Sequence, residues 1–187
     1  METLDIFFDE TDSKPMLLGV FPAHITSFKP GRETNNAIPF NLTLEIAEEA
    51  AGFEGTNPIT GETDTAKHMV GREVRSVGIW LNKKLEANEQ WKNRNYVNLL
   101  LFAGIELPEK DGKVQIAKPS EEEMFGRPVM VVLKQEVDKR DLKEVEEGTK
   151  TEDEVRKYTK AFSFMKWEGG KRKEQPDASD DIFADLK

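Results

Sequence analysis

Cysteine is missing from all 187 residues, which excludes a disulfide framework, thiolate nucleophiles and cysteine-rich zinc sites. Histidine is nearly missing too. His24 and His68 are the only two, so proton transfer near neutral pH has few candidates, and no phosphate loop, dinucleotide fingerprint, zinc-ligand spacing or nucleophile elbow is present. The acids of "ITGETD" beside His68 are the one conceivable metal cluster, and carboxylates in a Gly/Thr loop are ordinarily just solvated. The expectation is a non-enzyme with no catalytic residue, no metal and no cofactor. Long apolar runs are absent as well, with nothing near the ~18 residues a membrane span needs. The opening "METLDIFFDETD" places acids where a secretory signal has a basic start, so an intracellular, soluble protein is expected.

Positive charge is scarce in the total and not in the middle. The formal net charge is −9, which on its face opposes nucleic-acid binding, since phosphate contacts come from Lys and Arg. Residues 1–12 carry five acids and no base, and residues 174–187 carry five acids against Lys187, so the two ends account for −5 and −4. Residues 13–173 are therefore neutral overall and have room for a basic face.

Strand patterns dominate what is present. Every odd position from Leu17 to Ile25 is apolar or small, and from Ile38 to Ile46 the even positions are apolar, a period-2 alternation that points one face inward. Between them "KPGRETNN" reads as a loop. Residues 48–70 read as a long excursion. A third strand is predicted over Gly71–Asn82, with Val77, Ile79 and Leu81 on one face and Arg72, Val74, Gly78 and Trp80 on the other. Spacing of three and four among Trp91, Val97, Leu100, Leu101 and Gly104 predicts a helix over 86–104, with Asn88 as cap and Gly104 as stop. "GRPVMVVLKQEV" gives a fourth strand, 138–157 a solvated hairpin or short helix, and "YTKAFSFMKW" a fifth strand, after which Gly169-Gly170 ends the fold.

Three strands, a helix and two strands is the order of the five-stranded OB-fold barrel, whose helix lies between strands three and four. A mainly β protein is expected, with an acidic N-terminal arm (1–14), an OB-fold domain (15–170) and a flexible, basic-then-acidic C-terminal tail (171–187).

Single-stranded nucleic acid needs rings for bases to stack on and cations along the backbone path. The richest stretch is "REVRSVGIWLNKKLEANEQWKNRNY", where Arg72, Arg75, Lys83, Lys84, Lys92 and Arg94 surround Trp80, Trp91 and Tyr96. If Val77, Ile79 and Leu81 face the core, Trp80 faces out beside Arg72; with the parity reversed, Trp80 is core. Trp91 is either a second platform or a helix anchor. In the last strand Tyr158, Lys160, Phe162, Phe164 and Lys166 share one face at period 2, and Phe162 and Phe164 are either stacking or core residues. Lys134 adds a backbone contact. No base-specific code is legible.

The chain ends "DDIFADLK". Asp180, Asp181 and Asp185 interleaved with Ile182, Phe183 and Leu186 cannot fold alone, for want of apolar surface to offset ordering entropy, but can dock on a partner or lie in the protein's own cationic groove. Strand order, the Trp- and Lys/Arg-rich third strand and helix, and an acidic tail bearing a phenylalanine together resemble the single-stranded DNA-binding proteins of bacteriophage replication systems, notably those of podoviruses. "MLLGVFPAHITSFKPG" and "FGRPVMVVLKQEV" also look like a widespread phage family found among recombination and replication genes. The resemblance implies an OB-fold that coats single-stranded DNA in the cytoplasm of an infected bacterium, with little sequence preference, and recruits phage polymerase and primase-helicase through a tail in which Phe183 is the aromatic. Podoviral tails end on that aromatic, whereas here Ala184, Asp185, Leu186 and Lys187 follow it. A homodimer is possible. The alternative is a protein-binding adaptor or virion-associated small barrel with no nucleic-acid role.

Overall fold

Alternating apolar residues become strand wherever the alternation is sustained, and the element order follows. The computed structural model describes residues 14–76, 78–110 and 113–174. The acidic arm before Lys14 and the tail residues Asp180, Asp181, Ile182, Phe183, Asp185 and Leu186 lie outside the described residues. The strands are β1 (Gly19–Pro30), β2 (Ala37–Ile46), β3 (Glu54–Thr56), β4 (Thr63–Thr65), β5 (Glu73–Arg75), β6 (Ile79–Asn82), β7 (Glu109–Lys110), β8 (Lys113–Val114), β9 (Pro128–Val137) and β10 (Lys157–Met165). The α-helices among the described residues are α1 (Arg94–Phe102), α2 (Glu121–Met124) and α3 (Lys139–Glu146).

The protein is mainly β. One six-stranded sheet runs β10-β9-β1-β2-β5, with β6 also paired to β2, and every pairing in it is antiparallel. An isolated parallel bridge between Ser76 and Ala161 brings the chain leaving β5 beside β10, so the two ends of the strand order meet there.

Two expected strands differ from the sequence pattern for physical reasons. The first continues through "KP" to Pro30, because a register shift between Ile25 and Ser27 absorbs one residue and lets both Ile25 and Phe28 turn inward. The third is broken into β5 and β6. Val74 and Ile79 are both buried, although unbroken alternation places them on opposite faces. The break after Arg75 resets the phase; Val77, within it, lies outside the described residues.

The 48–70 excursion is folded. Two 3-10 turns, Glu48–Gly52 and Ala66–Met69, seat Ala50, Ala66 and Met69 in the core, and the β3–β4 hairpin is tied to Leu18 by paired 2.8 Å backbone hydrogen bonds with Thr56.

Buried Phe21, Ile25, Phe28, Phe40, Leu42, Leu44, Val129, Val131 and Leu133 line the inner face of the sheet, each contributing about 1.5–3 kcal/mol on burial. Against them sits α1, through Tyr96, Leu99 and Leu100. The Tyr96 ring lies 5.1 Å from Phe40 and 6.3 Å from Phe28. Its hydroxyl donates to the Ala117 carbonyl at 2.9 Å, and burial pushes its pKa up to about 12. Only 94–102 of the expected helix is α-helical; Ala87–Asn93 is a 3-10 turn. Asn88 lies inside that turn and caps nothing in α1. Asn93 instead ties the turn to β6, accepting from Asn82 N–H at 2.7 Å and donating to the Asn82 carbonyl at 3.0 Å. Gly104 stops the helix as expected: at φ 72° it adopts the left-handed conformation in which its N–H and that of Ile105 close on Leu101 and Leu100.

Beyond Gly170 the chain straps back over the sheet. The Lys173 N–H donates to Gly126 O at 2.7 Å, and Arg172 donates to the Glu122 and Phe125 carbonyls at 2.6 and 2.9 Å.

Candidate nucleic-acid interface

Exposure decides which rings are core and which are surface. Trp80, on β6, is 49 % exposed, Trp91 68 %, Phe162 50 % and Tyr158 41 %, whereas Phe164 is only 8 % exposed. Period 2 predicts Phe162 and Phe164 on one face; they are on opposite faces because β10 shifts register between Ala161 and Ser163, leaving Phe162 as the extra residue of a bulge that turns outward. Tyr158 and Lys160 share that outer face, and Phe164 belongs to the core. Tyr96, grouped with the tryptophans in the sequence stretch, is core as well.

Trp80 is held by its neighbour in space. The indole packs on Gly78, where a Cβ would stand 2.6 Å from Trp80 Nε1, so any side chain at 78 displaces the ring. Around these rings three depressions adjoin. One is lined by Asn41, Thr43, Arg75, Ser76 and Gly78, beside Trp80. A second is a narrow cleft between β6, α1 and β10, lined by Ile79, Asn95, Asn98, Phe162, Ser163 and Phe164. The third holds Trp91, Arg94, Val97 and Asn98 and shares Asn98 with the cleft. The result is a strip running from Arg75 and Trp80, past Phe162, to Trp91.

The cations expected at a nucleic-acid interface fall into two groups. Arg75, Lys84, Arg94 and Lys134 are exposed and form no ion pair with any described residue; the Lys134 ammonium stands 4.6 Å from the Phe162 ring centroid, a cation–π contact. Lys83 pairs with Glu33 at 2.6 Å, Lys160 with Glu136 at 2.6 Å, and Lys92 with Glu89. The Lys83 hydrogen bond holds the Glu33 carboxyl below its ordinary range, and the Lys92 hydrogen bond does the same for Glu89. The Lys83–Glu33 pair is exposed, so water and salt weaken it, whereas Glu89, Glu136 and Lys160 are only partly exposed.

Two expected contacts do not reach the strip. Arg72 donates to the Lys14 carbonyl at 2.7 Å, and its own carbonyl accepts from Ile46 N–H, whereas Trp80 pairs with Pro39 at the other end of β2. Seven residues of strand, about 23 Å, separate them. Lys166 lies past the end of β10 and pairs with Glu168 at 3.1 Å.

At the far end of the β10 outer face, α3 is anchored by a buried carboxylate. Asp141, 0 % exposed, accepts from Arg156 Nε and Nη2 at 2.9 Å each, from the Arg156 N–H at 2.7 Å, and from Lys150 at 2.8 Å. The Arg156 and Lys150 hydrogen bonds hold its carboxyl far below the usual range.

Sequence reading missed Asn95, Asn98 and Ser163. The available signal was two asparagines three apart in a helix, where Asn is a poor former and where that spacing places both on one face. Among the described residues no cluster of His, Asp or Glu fit for a metal ion occurs, and no helix is long and apolar enough to cross a membrane.

No protein-family model matches the chain, and no curated protein is significantly similar to it.

Proposed function

We propose that the protein binds single-stranded DNA as a sequence-tolerant, non-enzymatic coating protein of the phage replication or recombination type, on an OB-type barrel. The barrel reading rests on the strand order, on the Ser76–Ala161 bridge at the meeting of its two ends, and on a helix between the third and fourth long strand regions. The observation that carries the function is the strip itself: Trp80, Phe162 and Trp91 are exposed in or beside the three depressions, with Arg75, Arg94 and Lys134, which form no ion pair with any described residue, at the same places. Flat rings take any base, and spaced cations take the phosphates between them. Tail residues Asp180, Asp181, Ile182, Phe183, Asp185 and Leu186 are proposed to recruit replication proteins.

Titration of oligo-dT at several salt concentrations tests this. Three backbone cations predict quenching of tryptophan fluorescence and a slope of log K against log salt of about −2 for a single strand. Absent quenching at low salt overturns the reading.

A protein-binding module is the second reading, and one observation favours it. Val20, Val132 and Ser163 lie side by side across β1, β9 and β10, as do Pro22, Met130 and Met165, and Val20 and Met165 are exposed. An apolar outer face of this kind suits a partner chain or a second copy. It predicts association without any response to oligo-dT.

A further inference from the structure

The narrow cleft beside Phe162 is built differently from the rest of the strip. Its lining includes Asn95 and Asn98 from α1 and Ser163 from β10. Neither amide makes a hydrogen bond to any described residue, and Asn98 is only partly exposed. Both lie in α1, where asparagine is less favourable than alanine at every non-capping position, so helix formation does not account for them.

The strand edges make the cleft more polar still. Among the described residues β6 pairs only with β2, and the parallel contact that joins the ends of the sheet is the one between Ser76 and Ala161. The cavity holds about 40 Å³, room for about three water molecules. A whole base does not fit. The edge of a base does, if its ring lies outside on Phe162. Each amide offers donors and an acceptor, and the hydroxyl offers both, which is the complement that a Watson–Crick edge requires.

Resting on the single-strand reading above, we infer that Asn95, Asn98 and Ser163 read the Watson–Crick edge of one base stacked on Phe162, so that one nucleotide position in an otherwise tolerant site is selective. The phosphates of that nucleotide lie toward Lys134 on one side and Arg94 on the other. The waters now free to occupy the cleft are displaced by polar atoms of the base, and a base whose donors and acceptors match the amides loses nothing in the exchange. A mismatched base leaves an amide dry and unsatisfied.

The test is fluorescence titration of the full chain with oligo-dT, oligo-dC and oligo-dA of one length, and with an abasic strand, at a single salt concentration. The wild-type protein is expected to hold the preferred homopolymer about tenfold tighter than the weakest, within the range a paired base contact supplies. In N95A/N98A that spread falls to about twofold while affinity for the abasic strand stays unchanged. Alanine is the better helix former, so the variant folds, and a thermal melt confirms it. S163A, from the opposite wall, narrows the same spread independently. Equal spreads in wild type and both variants overturn base reading at the cleft and leave coating intact; no binding to any homopolymer removes the single-strand reading itself, and this inference with it.

Discussion

A large ring left half in water gives up burial energy, and Trp80, Trp91 and Phe162 all do so while Phe164, two residues from Phe162, is core. Under the proposed function their exposed faces are where bases stack. Trp80→Ala and Trp91→Ala are each expected to weaken oligo-dT binding by about 1–3 kcal/mol and to leave the thermal midpoint close to wild type, since little packing is lost; a binding loss matched by a collapse of the midpoint sinks the assignment. At this scale sequence reading left two parities open for Trp80, and β6 decides between them by turning Ile79 inward and Trp80 out. Sequence reading could not separate Phe162 from Phe164. Strict alternation puts both on one face, and the extra residue that parts them is a bulge, which leaves no composition signature in "KAFSFM".

Elements were legible where alternation ran unbroken, as in β2 and β9, and illegible where local chemistry interrupts it. The third strand looked continuous because Val74 and Ile79 are both apolar, whichever face they take. The long 138–156 connection looked merely solvated, since its charges outnumber everything else; one of those charges is a buried hub. Asp141 links α3 to the first residues before β10 through Arg156 and Lys150. Its folded-state pKa is depressed, so its contribution to stability is present above the ordinary carboxylate range and is lost as pH falls through the interval below about 4. Asp141→Asn is therefore expected to melt below wild type at pH 7, with the gap narrowing as pH drops under about 4; a gap independent of pH rules out the carboxylate charge as its source.

Across the whole molecule, the total of −9 conceals the arrangement that matters. Acids concentrate in the end segments, the body is neutral, and Lys83, Lys92 and Lys160 pair with carboxylates. That division was readable from the sequence by counting in segments. Which cations converge was not, because Arg75 and Lys134 are far apart in sequence and meet the strip only through the meeting of β5 and β10. Arg72 and Lys166 satisfied the same composition argument and were carried elsewhere by β2 and the end of β10.

Among the described residues one bridge, Ser76 to Ala161, joins the two ends of the strand order on the side where rings and cations gather. A join with few backbone hydrogen bonds is a natural place for local opening, and under the proposed function a nucleotide chain laid from Trp80 to Phe162 crosses it like a suture. Ligand would then lock the hoop rather than only decorate it. Amide exchange with deuterium near 75–79 and 159–163 should slow on adding oligo-dT by more than at Val131 in the centre of β9, whereas equal slowing everywhere means that the bound strand runs along the hoop without spanning its gap.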